Sequence, residues 1–382
     1  MDKMQLTFEN LNLKKELLES IYLHGFKKPS LIQIKGISSL NTGRDCILQS
    51  QSGTGKTATY LLGVMNRIEK GNKIQGIILS PTRELSEQVF KVAKILSKKT
   101  QIKICKCIGG TSMGENINKL KKSNLLIGTI GRIQHLIEEK KLKLDNLKIF
   151  VLDEADDILI DGLVDKIDYI FKKIKEIKCQ ICLISATLSS NIFKVSKKVM
   201  NDPIKVLLKK NEIVVDLISQ FYLDTELEEY KFDVLLDLYN IISTSQAIIF
   251  CNTIRKVNWL SKKLEEENFP ITSIHGKMTQ LERNDIVKEF RNGKTRILLT
   301  TDLLSRGIDI PQVNLVINFD IPPNKETYIH RIGRCGRFGK KGVSITLVKM
   351  EDPSDVKSLN RLKNFYDINI KELPEDIENY LN

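Results

Sequence analysis

Residues 46–57 read Cys-Ile-Leu-Gln-Ser-Gln-Ser-Gly-Thr-Gly-Lys-Thr, an apolar run that leads into a glycine-rich turn. A helical pattern follows, so the stretch predicts a strand, a loop and a helix in that order. Gly53 and Gly55 allow backbone N–H groups to close on phosphate oxygens, and the helix N-terminus adds a favourable dipole. Lys56 is expected to reach the β- and γ-phosphates, and Thr57 to hold Mg²⁺. The stretch therefore predicts a phosphate-binding loop.

One position departs from the strict pattern of such loops, which has glycine where this chain has Ser50. A small hydroxyl side chain fits the same turn, so the departure weakens the match little. The loop residues that we expect to bind ATP are Ser50, Gln51, Ser52, Gly53, Thr54, Gly55, Lys56 and Thr57.

An acidic cluster supports the same interpretation. The apolar segment Leu147–Leu152 ends in Asp153-Glu154-Ala155-Asp156. At the carboxyl end of a parallel strand, Asp153 is predicted to bind Mg²⁺, partly through water, and Glu154 to orient or deprotonate the attacking water. An acidic surface turn is the alternative, but the phosphate loop earlier in the chain favours the catalytic interpretation.

Short apolar runs alternate with longer amphipathic segments through the whole chain, which favours parallel sheets covered by helices. The first half predicts strands at Cys46–Leu48, Gly76–Leu79, Leu125–Ile127, Ile149–Leu152 and Ile181–Ile184. The same pattern restarts after about residue 220 with Ala247–Phe250, Ile271–Ile274, Arg296–Leu299, Leu315–Ile317 and Val343–Leu347. The predicted organisation begins with an N-terminal segment at 1–34 and a first α/β domain at 35–207. A polar linker at 208–216 then leads into a second α/β domain at 217–382.

Composition narrows the class of partner. The chain has 382 residues and a formal charge of +13. This charge indicates either an anionic partner such as nucleic acid or simply a lysine-rich surface that is solvated. The C-x-x-C pair Cys179 and Cys182 lies in an apolar run without further ligands nearby, so we expect core packing and a reducing compartment. No signal-peptide pattern or membrane-length apolar run is present, so an intracellular soluble protein is expected.

The phosphate loop and the acidic cluster, together with Ser185-Ala186-Thr187, resemble the DEAD-box RNA helicase family, and the resemblance extends over nearly the whole chain. It implies two tandem RecA-like domains with an inter-domain cleft, and ATP and Mg²⁺ as ligands. The resemblance also implies a set of residues that couple the ATP site to the RNA site. They are Asp156, Ser185, Thr187, His330 and Arg331.

Gly25-Phe26-Lys-Lys-Pro29-Ser30-Leu-Ile-Gln33 looks like the adenine-reading Q motif of that family, with Phe8 as its upstream aromatic. A glutamine amide both donates and accepts hydrogen bonds, so Gln33 can select adenine. The resemblance adds Pro29 and Phe8 to the ATP-binding residues. It also places Gly307 and Asp309 beside the nucleotide.

Several loop-to-helix openings resemble the RNA-contacting motifs of the family. The residues assigned to RNA are Pro81, Thr82, Arg83, Gly110, Thr129, Arg132, Asn252, Arg283 and Thr300. Helix capping and phosphate binding use the same backbone groups, so the sequence leaves both interpretations open. This chain has Ile130 where the family usually has proline, which leaves the rigidity of that loop open.

The stretch His-Arg-Ile-Gly-Arg-Cys-Gly-Arg-Phe-Gly, residues 330–339, carries three arginines in the second domain, which has no phosphate loop of its own. We therefore expect Arg334 and Arg337 to stabilise charge on the γ-phosphoryl group of ATP held by the first domain. Arg331 is expected to bridge to the Asp153–Asp156 segment.

The resemblance implies an ATP-dependent RNA helicase that binds single-stranded or short duplex RNA with little sequence preference. Two alternatives stay open, an ATP-dependent RNA clamp or scaffold and a phosphate-loop ATPase that does not act on RNA. Within the family the chain looks most like members that serve translation initiation. We expect a cytoplasmic monomer, with the nucleus as the alternative location, that is directed by a helical-repeat scaffold protein and has no membrane partner.

Overall fold

The computed structural model describes residues 6–50, 54–159, 164–187, 190–207, 218–242, 246–302, 313–335, 342–366, 368–377 and 380. The chain divides into two compact units, residues 1–208 and 209–382. The predicted linker lies outside the described residues, and the domain limits stay a prediction. Each unit is an α/β structure with one parallel seven-stranded sheet, which confirms the predicted fold class.

The sheet of the first unit has the order β3-β4-β2-β5-β6-β1-β7. Its strands are β1 Cys46–Gln49, β2 Gly76–Ser80, β3 Ile104–Cys107, β4 Leu125–Thr129, β5 Ile149–Leu152, β6 Gln180–Ser185 and β7 Ile204–Val206. The central strands are buried on both faces, as expected for a parallel sheet covered by helices.

A short 3₁₀ helix at Phe8–Leu11 precedes the helices of the first unit. Those helices are α1 Lys15–Leu23, α2 Leu31–Asn41, α3 Lys56–Arg67, α4 Arg83–Leu96, α5 Met113–Leu120, α6 Ile130–Glu138, α7 Ala155–Ile158, α8 Val164–Lys175 and α9 Ser190–Val199. Alternate residues of the strands face opposite sides, so the sheet separates two apolar cores. Ile78 of β2 belongs to the core that α4 covers, and Ile77 to the core that α8 covers.

The second unit repeats this architecture with the strand order β10-β11-β9-β12-β13-β8-β14. Its strands are β8 Ile218–Asp224, β9 Ala247–Phe250, β10 Ile271–Ile274, β11 Ile297–Thr300, β12 Leu315–Asn318, β13 Gly342–Val348 and β14 Lys371–Glu372. Its helices are α10 Lys231–Ile242, α11 Ile254–Glu266, α12 Gln280–Arg291, α13 Lys325–Ile332 and α14 Pro353–Tyr366.

The ten predicted strands are confirmed within a few residues at their ends, whereas four strands at or next to the sheet edges were not predicted. These are β3, β7, β8 and β14. Edge strands are solvated on one side, so their apolar runs are short or broken by polar residues. β14 consists of two exposed charged residues and is recognisable only from its pairing with β8.

Parallel pairing decides where the functional loops lie in the first unit. Gln49 at the end of β1 is in register with Ser185 at the end of β6. Ser80 at the end of β2 is in register with Thr129 at the end of β4. The loops after these strands therefore leave one edge of the sheet together, which is where open α/β sheets bind ligands.

All seven cysteines are free, and Cys182 is fully buried while Cys179 is half-buried. This confirms the prediction that the C-x-x-C pair packs into the core. None of the helices in the described part of the chain is long and apolar enough to cross a membrane.

We expect Gly128→Ala to destabilise the first unit. Gly128 lies in β4, and a Cβ atom there would lie 2.2 Å from the backbone oxygen of Cys107 on the neighbouring strand. The strands would have to separate, and overpacking of this kind costs about 1–3 kcal/mol or more. Thermal or denaturant unfolding, followed by circular dichroism, measures the loss.

The matched control is Gly131→Ala, since a Cβ atom at Gly131 would meet no atom within 4 Å. Alanine favours a helix by up to about 1 kcal/mol over glycine, so this variant should be neutral or more stable. Equal stability of the two variants would contradict the close approach at Gly128.

Candidate active site

The phosphate loop joins β1 to α3. Gly55 caps α3 with a left-handed backbone, φ 97°. A Cβ atom there would lie 2.6 Å from Nε2 of Gln33, so both the backbone and the neighbouring side chain require glycine. Lys56 is the first residue of α3 and Thr57 the second. Outside the described residues lie Gln51, Ser52 and Gly53.

Ser50 fits the loop because both its backbone and its hydroxyl find partners there. Its N–H donates to the backbone oxygen of Ser185, 3.1 Å away at the end of β6. Its hydroxyl is hydrogen-bonded to the hydroxyl of Thr54 within the loop. The departure from glycine therefore adds a bond inside the phosphate loop and leaves its connection to the sheet intact.

Three largely buried ionisable side chains meet at the loop and at the end of β5. The Nζ atom of Lys56 lies 3.6 Å from Oε1 of Glu154. Neither that Nζ nor Oε2 of Glu154 has a hydrogen-bond partner among the described residues. Asp153 beside them is 3% exposed and accepts a 2.7 Å hydrogen bond from the Tyr60 hydroxyl. Because buried polar atoms normally have partners, these unpaired atoms mark a site for a polar ligand.

Burial and, second, the Glu154 carboxylate raise the pKa of Asp153 from 3.8 to about 7, although the Lys56 ammonium and the Tyr60 hydroxyl oppose the rise. A divalent cation would relieve the repulsion between the two carboxylates. Carboxylate and hydroxyl oxygens are the ligands that Mg²⁺ prefers, so Asp153 and Thr57 fit the expected ion. Glu154 has a left-handed backbone, φ 48°, a strained conformation that recurs at functional sites.

The Q-motif residues are tied directly to the phosphate loop. Ser30 caps α2, and its backbone N–H donates to Oε1 of Gln33 at 2.8 Å. The Ser30 hydroxyl donates to the backbone oxygen of Thr54 at 2.9 Å. Pro29 is half-buried just before this cap. Gln33 is thus held beside Gly55, and its reading of adenine stays a prediction.

The predicted contact of Phe8 with ATP needs a correction. The Phe8 ring is 0% exposed and packs edge-on against Phe26 and Tyr22, with ring centroids 6.3 Å apart in both pairs. A buried ring leaves no face for adenine. Phe8 instead supports Phe26, the half-buried aromatic residue of the Q motif, which sequence reasoning did not assign to the site.

The residues of the first unit that are predicted to couple ATP to RNA form one hydrogen-bonded group behind the acidic cluster. Oδ2 of Asp156 accepts bonds from the hydroxyl of Thr187 at 2.7 Å and from its backbone N–H at 3.2 Å. The Ser185 hydroxyl donates to the backbone oxygen of Thr187. The ends of β5 and β6 are therefore bonded to each other through these side chains.

Two arginines build the loops assigned to RNA in the first unit. The guanidinium of Arg83 packs so closely on Gly110 that a Cβ atom there would lie 2.7 Å from Nη1. Arg132 donates from Nη2 to the backbone oxygen of Thr111 at 2.8 Å. Both arginines thus shape the glycine loop. Thr82 caps α4 by accepting from the N–H of Leu85 at 3.2 Å, and Pro81 before it is half-buried.

Ile130, where the family usually has proline, occupies the first position of α6 and is 2% exposed. Thr129 precedes it as the N-cap residue, without a side-chain capping bond. Proline suits the first helical position through its fixed φ angle. Here burial of the isoleucine side chain in the apolar core anchors the same turn.

In the second unit Asn252 is exposed at the end of β9, and its Nδ2 donates to the backbone oxygen of Ile321 at 2.9 Å. Arg283 on α12 donates from Nε to the backbone oxygen of Met278 at 3.1 Å. Thr300 is 0% exposed, and its hydroxyl donates to the backbone oxygen of Thr301. The Thr300 side chain is thus buried at the end of β11, and its contact with RNA stays a prediction.

The described hydrogen bonds of the Arg331 side chain are formed within the second unit. It is 0% exposed, and its Nε donates to Oδ1 of Asp302 at 2.6 Å. Its Nη2 donates to Oδ1 of Asn252 at 2.7 Å, and its Nη1 to the backbone oxygen of Asp320 at 3.0 Å. A guanidinium occupied in this way joins the loops after β9, β11 and β12. The predicted bridge to the Asp153–Asp156 segment stays a prediction.

The other residues of the arginine stretch are only partly described. His330 is 2% exposed, and its backbone oxygen accepts from Nε of Arg334 at 3.3 Å. Arg334 itself is 7% exposed. The predicted site residues that lie outside the described part of the second unit are Gly307, Asp309 and Arg337.

Sequence reasoning missed Tyr60 and the partners of Arg331. Tyr60 follows Lys56 by four residues, so both lie on one side of α3, and this helical spacing could have suggested a contact with the acidic cluster. Asp302 and Asp320 each follow the end of a predicted strand, a position typical of site residues. Their common partner depends on tertiary contacts, so no local signal indicates it.

We expect Asp153→Asn to stabilise the nucleotide-free, magnesium-free protein, increasingly so as pH rises. In the unfolded chain this carboxyl loses its proton near pH 3.8, but in the folded protein it keeps it until about pH 7. The folded state therefore binds more protons, and this residue lowers stability as pH rises through that window. The gain should grow by up to about 1.4 kcal/mol for each pH unit. Thermal unfolding across the window checks it.

Asp202→Asn is the matched control, since that carboxylate lies in the same unit with its side chain 89% exposed. Its effect on stability should change little with pH. A similar pH dependence in both variants would contradict the assignment of the raised pKa to Asp153.

Comparisons with known proteins identify the family of the chain. The family model for DEAD/DEAH box helicases matches residues 30–195, and the helicase conserved C-terminal domain matches residues 230–339. The ATP-dependent RNA helicase eIF4A of Yarrowia lipolytica is 47% identical over 98% of this chain and 95% of its own length. The ATP-dependent RNA helicase FAL1 of Kluyveromyces lactis is 45% identical over 98% of this chain and 94% of its own.

The structure of S. cerevisiae Dbp5 bound to RNA and ADP BeF3 matches with a TM-score of 0.89 and 37% identity, over 98% of this chain and 97% of that chain. The ranges that the two family models match include the phosphate loop, the acidic cluster and the arginine stretch. The predicted ATP-binding RNA helicase is thereby confirmed. The chain belongs to the DEAD-box family of ATP-dependent RNA helicases, which are RNA-dependent ATPases.

Proposed function

We propose that this helicase hydrolyses ATP at a site to which both units contribute, and that the reaction is coupled to local unwinding of RNA. The observation that supports the proposal most directly is the buried ammonium of Lys56, which has no hydrogen-bond partner among the described residues and lies beside Glu154. A buried ammonium whose hydrogen-bond donors are not satisfied is suited to an anionic ligand such as phosphate.

The first unit supplies the phosphate-binding and water-activating groups. Lys56 contacts the β- and γ-phosphates, while Thr57 and Asp153 hold Mg²⁺, partly through water. When bound, Mg²⁺ neutralises negative charge on the phosphate oxygens. Glu154 orients the attacking water and accepts its proton, for which its buried Oε2 has no competing partner among the described residues.

The second unit supplies arginines to the same nucleotide. Arg334 and Arg337 stabilise charge on the transferring γ-phosphoryl group once ATP and RNA bring the units together. Such an arginine contributes about 10³–10⁵ in rate, or roughly 4–7 kcal/mol of barrier. Gly307 and Asp309 border the nucleotide on this side.

Adenine is read by Gln33 and Pro29, with Phe8 acting indirectly through Phe26. The proposal draws support from the bonds that tie Ser30 to Thr54, because they connect the adenine side of the site to the phosphate loop. Loss of adenine contacts would therefore also disturb the loop that holds the phosphates.

RNA binds through its backbone and 2′-hydroxyl groups with little sequence preference. In the first unit the contacts come from the Thr82–Arg83 helix opening, the glycine loop at Gly110 and the Thr129–Arg132 turn. In the second unit they come from Asn252 and Arg283. Closure of the units bends one strand, so short duplexes separate locally, and hydrolysis resets the enzyme. The residues Asp156, Ser185, Thr187, His330 and Arg331 transmit closure between the RNA and ATP sites.

We place the helicase in translation initiation, in the cytoplasm, as a monomer directed by a helical-repeat scaffold protein. The similarity to eIF4A supports this assignment. The ATP-dependent RNA helicase FAL1 is almost as similar and is not named as an initiation factor, so a role in another RNA process is the alternative, with the nucleus as the alternative location. Rescue of translation in extracts depleted of the endogenous initiation helicase would separate the two roles.

The proposed activity predicts ATP hydrolysis that RNA stimulates and single-stranded DNA does not, because 2′-hydroxyl contacts distinguish the two. Phosphate release with RNA, with DNA and without nucleic acid measures it. Equal stimulation by RNA and DNA, or none by either, would contradict the proposed RNA site. Slow product release with RNA retained, and without duplex separation, would instead assign the protein to the RNA-clamp alternative.

Glu154→Gln should retain ATP binding while turnover falls by about 10²–10⁴, the contribution typical of a general base. ATP affinity from fluorescence titration and turnover from phosphate release give the two readouts. The control is Glu115→Gln on the exposed face of α5, which should leave both unchanged. Retained turnover in the Glu154 variant would remove this residue from the catalytic role.

A further inference from the structure

One side of α4 carries a line of residues that leads away from the loops assigned to RNA. Arg83, Glu87, Phe90 and Lys94 are spaced four, three and four apart, which places them on one face of the helix. At 1.5 Å per residue the line covers about 16 Å. It begins where the Arg83 guanidinium packs against Gly110.

The edge strand β3 completes this surface. The Lys106 ammonium lies 5.3 Å from the centroid of the Phe90 ring, and the Lys94 ammonium lies 5.7 Å from it. Lys106 also forms an ion pair with Glu87, whereas no carboxylate of the described residues lies within ion-pair distance of Lys94. Two cations therefore lie over one aromatic ring, and one of them, Lys106, is paired with a carboxylate. We call Arg83, Phe90, Lys94 and Lys106 the α4–β3 stripe.

The stripe lies on the unit that holds the excess positive charge. The first unit contains 35 Lys and Arg residues against 21 Asp and Glu, and the second contains 25 against 26. The net charge of +13 therefore comes from the first unit alone. Long-range attraction of a polyanion is accordingly directed to this half of the chain.

We propose that the α4–β3 stripe is an additional binding surface for single-stranded RNA, which extends the RNA track beyond Arg83 along α4 and β3. The inference rests on the proposed RNA roles of Arg83 and Gly110. One phosphate of the extended strand pairs with Lys94, and a second replaces Glu87 as the partner of Lys106, because a partly exposed ion pair contributes little stability. The Phe90 ring holds both ammonium groups in place, which reduces the entropy lost on binding. Continuity with the RNA loops favours RNA over an acidic protein as the occupant.

The test uses two single-stranded RNA oligonucleotides, a short one of about 6 nucleotides and a long one with about 10 nucleotides more. The affinity of the protein for each RNA is measured across a series of salt concentrations. Lys94→Gln combined with Lys106→Gln should weaken binding of the long RNA and make its log–log salt slope shallower by about 1.4, which is 0.7 for each lost phosphate contact. Binding of the short RNA should be retained. Phe90→Leu should also lower the affinity for the long RNA, but by a smaller factor.

The matched control is Lys172→Gln combined with Lys173→Gln, two exposed lysines on α8, which covers the opposite face of the same sheet. It makes the same change in net charge, so an equal loss in this variant would overturn the proposal. So would equal losses for short and long RNA, or an unchanged salt slope. A lost affinity for poly-glutamate with RNA binding unchanged would assign the stripe to an acidic protein. Failure of the unaltered protein to bind the short RNA would contradict the proposed RNA site itself.

Discussion

A buried lysine without a hydrogen-bond partner among the described residues is the constraint on which the nucleotide site depends. Lys56 is held at the start of α3 with Glu154 3.6 Å from its ammonium, and Asp153 is buried next to both. Such an arrangement costs stability, because desolvated charges are only partly compensated. The cost is tolerated since the strands and the helix fix these groups, and a phosphate with its cation would complete the missing interactions. The strained backbone of Glu154 belongs to the same arrangement.

The second unit also contains a buried cation, but this one has hydrogen-bond partners for its donor groups. Arg331 is fully buried, yet Asp302, Asn252 and the backbone of Asp320 accept hydrogen bonds from three different nitrogen atoms of its guanidinium. A cation satisfied in this way needs no ligand, so it positions loops instead of binding phosphate. The difference in pairing separates a residue suited to bind ATP from one suited to hold the loops that surround it. The assignments of Lys56 and Arg331 both follow from the number of hydrogen-bond acceptors around each cation. The positive charge, which the two residues share, would not distinguish them.

How far sequence reasoning succeeded depended on whether a signal was local. The central strands and the loop from Ser50 to Thr57 are encoded in short contiguous patterns, and ten strands were predicted from such runs. Edge strands such as β14 are too short and too solvated to leave a pattern. The direct contact of Phe8 with ATP was also misjudged, since an aromatic ring has the same sequence signature whether it faces a ligand or the core. Burial of the ring decided this case.

The sequence alone determined the fold class, the family and the identity of the phosphate loop and its acidic partner, because glycine, lysine and carboxylate spacing is dictated by the geometry of a strand, a turn and a helix. Tertiary structure decided which polar atoms stay unpaired, which arginines are occupied and which side chains form a surface. The α4–β3 stripe shows the reason. Its helical residues share a visible spacing, but Lys106 joins them only because β3 pairs at the sheet edge beside α4. Contacts between distant segments are set by packing, which local patterns do not encode.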